Sequence, residues 1–179
     1  MGEVLGEMQW VSIREVSEAS INNFTCSDEE RVEEFFKHNA KKYDFEMLAR
    51  THVLLDGEEV IVGFFTLFNE EVEVGVKKAE KLYSHLYRES FNLFPAVRLH
   101  YIGIDDLYRM KGIGREVFGR VFNTAIKIAE VTGCIFITAE AINDNIIIIN
   151  EHYGFKTLRP RRIPSEPQFM ALRIKDLLS

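Results

Sequence analysis

The chain has only two cysteines and four prolines, and it lacks any long apolar run. Cys26 and Cys134 lie far apart and in no metal-binding spacing, so neither a metal site nor an oxidising compartment is indicated. A membrane-spanning helix needs about 20 consecutive apolar residues, and the first residues show neither the basic nor the apolar part of a signal peptide. We therefore predict a cytoplasmic protein that neither binds a metal nor contacts a membrane.

An excess of positive charge is also lacking. Lysine and arginine number 22 against 28 acidic residues, which gives a net charge of −6. This balance argues against broad binding to nucleic acids or anionic membranes, although a local basic patch remains compatible with it. The densest such patch comprises Lys156, Arg159, Arg161 and Arg162.

Several catalytic and nucleotide-binding patterns are missing as well. No Ser/His/Asp arrangement and no His-x-x-x-His pair is recognisable. A dinucleotide fingerprint is excluded because Val117 stands where its third glycine belongs. A P-loop is excluded because Arg120 and Val121, rather than Lys and Ser or Thr, follow Gly119.

What is present is a strand, a glycine turn and a helix within residues 101–130. The apolar run 100–104 is followed by a polar loop, by Gly112 and Gly114, and then by apolar residues at three- and four-residue steps that predict an amphipathic helix. The first turn of a helix has unpaired amides and a positive dipole end, which attract phosphate. Arg109, Lys111 and Arg115 add positive charge nearby. The pattern predicts a diphosphate-binding loop.

The remaining pattern predicts one α+β domain over residues 1–179, with a loose leader at 1–9 and an inserted surface helix at 77–90. We expect a mixed, mostly antiparallel, twisted sheet with helices on both faces. Residues 27–30 read as a capping box, and residues 56–59 as a hairpin turn in which Gly57 is able to take a positive φ. Gly133 is predicted to end the long helix, and Asn143 to cap a short one that stops at Gly154. Residues 169–174 are predicted to form an edge strand.

Two motifs resemble those of the GNAT acetyltransferases. Arg109-x-x-Gly112-x-Gly114 matches the family's pyrophosphate loop, and Asn143, Ile149, Gly154 and Phe155 match its second motif at about the expected distance. The resemblance covers residues 24–158. Looser similarities at Phe24-x-Cys26, Arg50-Thr51 and 63–67 resemble the branch that includes acetyltransferase toxins of toxin–antitoxin pairs, which modify the amino group of charged tRNA.

The resemblance implies an enzyme that moves the acetyl group of acetyl-CoA to a primary amine by direct attack. A homodimer is also expected. The pantetheine arm would pair with the backbone of the strand before the loop, where an amide near Ile102 or Gly103 could stabilise the oxyanion. The predicted cofactor-binding residues are Ile102, Gly103, Ile104, Arg109, Met110, Lys111, Gly112, Ile113, Gly114, Arg115 and Asn143.

The chain departs from the family at the residue that returns a proton to the leaving thiolate. Many relatives use the tyrosine of an F/L-Y pair, and its position here is Asn150. An amide cannot act as a working acid. Tyr153 could substitute, or it could be a core aromatic. Water held by Asn150 could supply the proton, or the protein could bind acyl-CoA and catalyse poorly.

Three further regions hold candidate functional residues. His100 and Tyr101 should point to opposite faces of their strand, so one of them could face the amine. Glu140 could act as a base through water, or it could be a solvated carboxylate at a strand end. The basic cluster at 156–162 could bind the 3′-phosphate of CoA, an RNA acceptor stem or a partner protein, or be a solvated turn.

Three functions follow from these readings. The first is acetyl-CoA-dependent N-acetylation of a primary amine. The second is a toxin that acetylates aminoacyl-tRNA, which the branch resemblance and the basic cluster favour and which the overall acidity and Asn150 oppose. The third is a non-catalytic acyl-CoA-binding module, which Asn150 favours. The glycine loop fits all three.

Overall fold

The computed structural model describes residues 7–75, 92–159 and 161–178. The predicted inserted helix at 77–90, like most of the predicted leader, lies outside these ranges, although Gln9 already belongs to the first strand. The helices are α1 (Glu18–Asn23), α2 (Glu30–Phe35), α3 (Lys41–Phe45), α4 (Ile113–Thr132) and α5 (Asp144–His152), with a π-helical turn, Phe36–Ala40, between α2 and α3. The strands are β1 (Gln9–Ser12), β2 (Arg50–Leu55), β3 (Ile61–Glu73), β4 (Leu93–Ile104), β5 (Phe136–Ala141), β6 (Lys156–Arg159) and β7 (Gln168–Arg173).

The seven strands form one sheet in the order β1-β2-β3-β4-β5-β7-β6. β1 pairs with β2, β2 with β3, β5 with β7 and β6 with β7, all antiparallel. The predicted α+β class with a mostly antiparallel sheet is confirmed. The predicted edge position of the last strand is wrong, because β7 lies between β5 and β6. Both backbone edges of β7 are therefore hydrogen-bonded to a neighbour, and β6 forms the edge of the sheet.

The chain divides into two compact units, one of residues 1–68 with 99–121 and one of residues 69–98 with 122–179. The core of the first unit is built on aromatic rings. Phe36 stacks on Phe64 at a centroid distance of 4.1 Å, and Phe24 contacts both rings, at 4.8 and 5.5 Å. The spacing of Val32, Phe35, Phe36, Ala40 and Tyr43 predicts one buried helical face. The first four pack into this cluster, whereas Tyr43 is 38% exposed. In the second unit, one cluster of the core consists of Val72, Val74, Phe94, Ala96, Phe136 and Ala171.

Two tightly packed positions in the first unit require glycine. A Cβ on Gly63 would lie 2.8 Å from the carbonyl oxygen of Gly103. A Cβ on Gly103 would lie 2.7 Å from the ring of Phe64 and 2.9 Å from Val32. Real Cβ contacts are longer, so a side chain at either position would force the strands or the core apart.

The helix ends follow the sequence in most places. The side chain of Asn143 accepts a hydrogen bond from the amide of Ile146 at 3.0 Å, as predicted for the N-cap of α5. Gly133 and Gly154 both have positive φ, 74° and 90°, shortly after the ends of α4 and α5. These positions lie in the left-handed region that glycine adopts at least cost.

The capping box predicted at residues 27–30 is wrong. α2 begins at Glu30, and no side chain caps its N-terminus. The amide of Ser27 instead donates to Asp106, and the amide of Cys26 donates to Glu33 at 2.8 Å. The amide of Ser27, which the predicted capping box would pair with Glu30, is thus satisfied by a residue 79 positions away.

The predicted hairpin turn at residues 56–59 connects β2 and β3, but Glu59 rather than Gly57 takes the positive φ, at 61°. The side chain of Asp56 closes the turn by accepting from the amides of Glu58 and Val60, each at 2.9 Å. This local hydrogen bonding places the left-handed residue two positions later than a two-residue hairpin would.

Candidate active site

The glycine loop in the first unit follows β4 and a 3₁₀ turn, Asp106–Tyr108. Met110 and Gly112 both have positive φ, 58° and 81°, and α4 begins at Ile113. A Cβ on Gly112 would meet no atom within 4 Å. Because Gly112 faces open space at the start of a 20-residue helix, the backbone here is accessible to a ligand. The local structure fits the predicted diphosphate-binding loop.

Asp105 anchors the start of this loop and was not singled out from the sequence. Its carboxylate is buried and accepts from the amides of Thr25, at 2.9 Å, and Leu107, at 3.0 Å. Its own amide donates to the carbonyl of Val62 at 3.0 Å. The only sequence signal was an aspartate directly after a strand, a common turn-forming position.

Arg109, the first residue of the loop motif, is engaged within the first unit. Its guanidinium forms ion pairs with Asp28 and with Asp106, the latter at 3.1 Å. Its Nε donates to the carbonyl of Ile104 at 3.3 Å, and its Nη2 lies 3.2 Å from the sulfur of Cys26. In this arrangement Arg109 fastens the loop to the segment that follows α1. A direct contact between Arg109 and phosphate stays a prediction.

Burial determines the protonation state of the neighbouring thiol, that of Cys26. It raises the pKa of Cys26 to about 11, and the positive charge of Arg109 only partly offsets this. Since the thiolate is the nucleophilic form of cysteine, Cys26 stays protonated at neutral pH. Its role here is therefore packing and hydrogen bonding to Arg109.

The other charged residues of the loop are more exposed. Lys111 lies over the ring of Tyr108, with its Nζ 5.4 Å from the ring centroid, and the hydroxyl of Tyr108 donates a hydrogen bond to Asp56. Arg115 is exposed, and its amide donates to the carbonyl of Gly112 at 3.2 Å. Lys111 and Arg115 are thus the exposed cations of the loop, while Arg109 is paired with Asp28 and Asp106.

The aromatic residues at the end of β4 pack against α2. Tyr101 stacks on Phe35 at 4.2 Å, and the ring of His100 lies 5.2 Å from the same phenylalanine and 5.1 Å from Phe68. The prediction that His100 and Tyr101 point to opposite faces is therefore wrong for their rings. Large side chains can lean along a strand, and both rings here reach Phe35. His100 is part of an aromatic cluster.

In the second unit, the side chain of Asn150 is buried within the fold. Asn150 is 4% exposed, and its Nδ2 lies 3.7 Å from the sulfur of Met170 on β7. Its backbone carbonyl accepts from the amides of Tyr153 and Phe155, which closes the C-terminus of α5. The amide at the family's tyrosine position therefore contributes to the junction between helix and sheet.

Tyr153 follows α5 and is half-buried. Its ring lies 6.4 Å from that of Phe122 and 5.2 Å from that of His152. These contacts agree with the reading of Tyr153 as a packing aromatic. Its role as an acid stays a prediction.

Glu140 lies in an ion-paired cluster on β3, β4 and β5. Its carboxylate accepts from Arg98 at 2.6 Å, and Arg98 also lies 3.6 Å from Glu70. Glu70 in turn accepts a hydrogen bond from Thr138. Glu140 is thus a paired carboxylate at the end of a strand, and a base at this position would have to act from within that pair.

The basic cluster at 156–162 is partly neutralised within the second unit. Arg161 lies 3.3 Å from Asp144 in the first turn of α5. The guanidinium of Arg159 lies 4.7 Å from the ring centroid of Phe169, and the amide of Arg162 donates to Glu166 at 3.0 Å. The cluster therefore also serves to hold the segment between β6 and β7.

The described residues contain no group of three His, Cys, Asp or Glu side chains that could hold a metal ion. No helix among residues 7–75, 92–159 and 161–178 is long and apolar enough to cross a membrane.

Comparison with known proteins identifies the fold. No protein-family model and no curated protein sequence matches the chain. Among solved structures, a point mutant of KacT superposes with a TM-score of 0.80 at 20% identity, over 96% of this chain and 98% of that one. AtaT complexed with acetyl-methionyl-tRNAfMet gives 0.79 at 16% identity, over 96% and 98%. A point mutant of the toxin AtaT, bound to the C-terminus of the antitoxin AtaR and acetyl-CoA, gives 0.72 at 16%, over 95% of both chains.

These similarities extend over nearly the whole chain. The resemblance to the GNAT acetyltransferases is thereby confirmed at the level of the fold. The solved structures that share this fold include those of toxins.

Proposed function

We propose that the protein is an acetyl-CoA-dependent N-acetyltransferase that transfers an acetyl group to a primary amine. The observation that carries this proposal is the glycine loop, where Gly112 combines a positive φ with open space at the N-terminus of α4. The shared fold supports it, since a protein of this fold binds acetyl-CoA. The resemblance at residues 109–114 gives this chain the matching loop.

The backbone of the loop would hold the diphosphate. The amides of residues 110–114 would donate to the phosphate oxygens, with Lys111 and Arg115 adding charge at the surface. Asn143, whose side chain caps α5, would position the start of that helix rather than contact the diphosphate directly. Acetyl-CoA supplies the activated thioester that the acceptor amine attacks.

The chain must also manage two protons, one leaving the amine and one reaching the thiolate. Asn150 has no proton to give and is turned toward Met170. Two sources remain for the thiolate, the hydroxyl of Tyr153 and water. His100 or Glu140 would assist removal of the amine proton.

The test is transfer of label from acetyl-labelled acetyl-CoA in a cell extract. The extract is separated into small-molecule, protein and charged-RNA fractions after incubation with wild-type protein or with Gly112→Asp. We expect one fraction to gain label with the wild type and not with the variant. If no fraction gains label while calorimetry still detects CoA binding, the protein is a non-catalytic acyl-CoA-binding module.

A second candidate function is acetylation of the amino group of aminoacyl-tRNA by a toxin. It is favoured by the match to AtaT complexed with acetyl-methionyl-tRNAfMet over 96% of this chain. It predicts label in the charged-RNA fraction and a partner antitoxin. Label confined to small molecules or proteins would reject it and leave the primary proposal standing. A homodimer is a further prediction, to be tested by light scattering.

A further inference from the structure

A recess in the first unit lies against β1 and β2 and includes no residue of the glycine loop. It has a volume of about 380 Å³, within the range of small-molecule pockets. Three arginines line it, Arg14, Arg50 and Arg120, together with Trp10 and His52. Neither the proposed function nor the family resemblance assigns it a role.

A buried carboxylate fixes two of the arginines. Asp44 is 1% exposed, and its Oδ1 accepts from Nε of Arg14 at 2.6 Å and from Nη1 of Arg50 at 2.9 Å. Its Oδ2 accepts from the amide of Thr51 at 2.9 Å. Both oxygens are thus engaged, and one carboxylate serves two guanidiniums. The side chains of Arg14 and Arg50 remain 45% and 46% exposed, so each can also reach a ligand.

The third arginine is placed by α4 and by the indole of Trp10. Nε1 of Trp10 donates to Glu116 at 3.0 Å, and the ring packs edge-on against Phe65 at 5.3 Å. The guanidinium of Arg120, one helical turn after Glu116, lies 5.8 Å from the indole. The wall formed by Trp10 and Arg120 is therefore fixed before any ligand arrives.

The electrostatics of the recess are positive. His52 stacks on Phe65 at 4.8 Å, and its pKa is lowered first by burial and then by the charge of Arg120, which outweighs the opposing effect of Asp44. The other lining carboxylate, Glu15, is used to accept from the amide of Ser12 at 3.0 Å. The lining therefore holds three guanidiniums against two carboxylates that are already engaged, which leaves an excess of positive charge.

We propose that this recess binds a phosphoryl group, presented by a small phosphate ester or by the phosphorylated end of a nucleic acid. Guanidinium forks match phosphate oxygens in geometry, and a phosphoryl group presents three acceptor oxygens, so it can accept from more than one guanidinium at once. The remaining volume accommodates the group that carries the phosphate.

The test uses Trp10, the only tryptophan of the chain, as a fluorescence reporter beside the site. Full-length protein is titrated with AMP, inorganic phosphate and a short 5′-phosphorylated oligoribonucleotide, with acetate as the control anion, and each titration is repeated by calorimetry. We expect saturable binding of at least one phosphate probe. Arg120→Gln should weaken it at least about tenfold, because a charge-assisted hydrogen bond is lost. Lys127→Gln, which likewise removes one positive charge but at an exposed position of α4 outside the recess, should leave it unchanged.

The probes also distinguish the two sources of the phosphoryl group. AMP binding as tightly as the oligonucleotide indicates a small ester, and tighter binding of the oligonucleotide indicates a nucleic acid. The proposal is overturned if no phosphate probe binds by either method. It is equally overturned if a folded Arg120→Gln protein, checked by circular dichroism, binds as the wild type does.

Discussion

Nδ2 of Asn150 points at the sulfur of Met170, 3.7 Å away. A thioether is a weak hydrogen-bond acceptor. The contact with Met170 therefore compensates only partly for the hydrogen bonds to water that the amide loses on burial. The position that carries the acid in many GNAT enzymes is here a polar group inside the helix–sheet junction. Two substitutions, Asn150→Leu and Tyr153→Phe, distinguish the effect of Asn150 on the stability of the fold from its effect on catalysis.

Asn150→Leu is expected to leave the free energy of unfolding unchanged or to raise it by about 1 kcal/mol. A leucine of similar size removes a poorly satisfied buried amide and adds apolar contact. Urea unfolding at pH 7 measures the change. A loss of about 2 kcal/mol or more would show that the amide makes stronger interactions than its contact with Met170.

The catalytic readings are distinguished by comparing kcat of Asn150→Leu with that of Tyr153→Phe, measured as release of free CoA thiol. If Tyr153 is the acid, only Tyr153→Phe lowers kcat, by about 10²-fold or more. If Asn150 holds a proton-donating water, only Asn150→Leu lowers it. Equal activity in both variants would assign the proton to bulk water.

Gly112→Asp is expected to abolish acetyl-CoA binding. It places a side chain and a negative charge at the predicted diphosphate position and forces an L residue into φ +81°, which costs about 1–2 kcal/mol. Gly133→Asp is the matched control, because Gly133 has φ +74° and equally open surroundings at the other end of α4. Calorimetry should detect CoA binding by Gly133→Asp alone. Wild-type affinity in Gly112→Asp would refute the loop as the diphosphate site.

Gly63→Ala is expected to destabilise the fold by about 1–3 kcal/mol, the range for overpacking. Its Cβ would lie 2.8 Å from a backbone carbonyl, which cannot swing aside as a side chain can. Gly75→Ala provides the control, since a Cβ there meets no atom within 4 Å. Both are compared by urea unfolding. Equal stabilities would mean that β3 and β4 can separate at little cost.

Tyr108→Phe should reduce stability by about 1 kcal/mol at pH 7, because it removes the hydrogen bond to Asp56. Partial burial alone would raise the pKa of Asp56, but hydrogen bonds from Tyr108 and the amides of Val60 and Glu58 lower it. A lowered pKa stabilises the fold above the unfolded value, which is about 4, and this contribution is lost as the pH falls through the folded value.

The difference between wild type and Tyr108→Phe should therefore shrink in acid. The same hydrogen bond raises the pKa of Tyr108 to about 12. The stabilisation from this tyrosine is complete below its unfolded value, about 10, and is lost as the pH rises through the folded value. Urea unfolding from about pH 3 to about pH 11 tests both limits. A difference that stays constant across this range would exclude the hydrogen bond as its cause.

The elements that could be predicted from the sequence were those with local causes. The Asn143 cap and the glycines at 133 and 154 depend on the conformation of their own backbone. The spacing of apolar residues in α4 likewise predicts which face of that helix is buried. Long-range partners could not be read in this way. The amide of Ser27 donates to Asp106, 79 residues later. The position of β7 between β5 and β6 depends on pairing between strands that are distant in sequence.

The same distinction between local and long-range causes applies to the candidate site. The glycine loop was recognisable because its glycines are close together and adjoin a periodic helix. The internal ion pairs of Arg109 and the direction of the Asn150 side chain depend on residues far away in sequence, and so does the recess around Asp44. Its residues come from β1, the turn that follows it, α3, β2 and α4, and no spacing along the chain connects them.

The π-helical turn Phe36–Ala40 absorbs one extra residue in the segment that leads to Asp44, because a π turn closes its hydrogen bond over one residue more than an α turn does. Removing one residue from this turn would restore a regular helix and leave the residues after it on their present faces. Removing one residue of α3 before Asp44 would instead rotate the rest of that helix by about 100° and turn Asp44 away from Arg14 and Arg50. Descendants of this chain are therefore expected to be able to lose the irregular turn without losing the arginine recess.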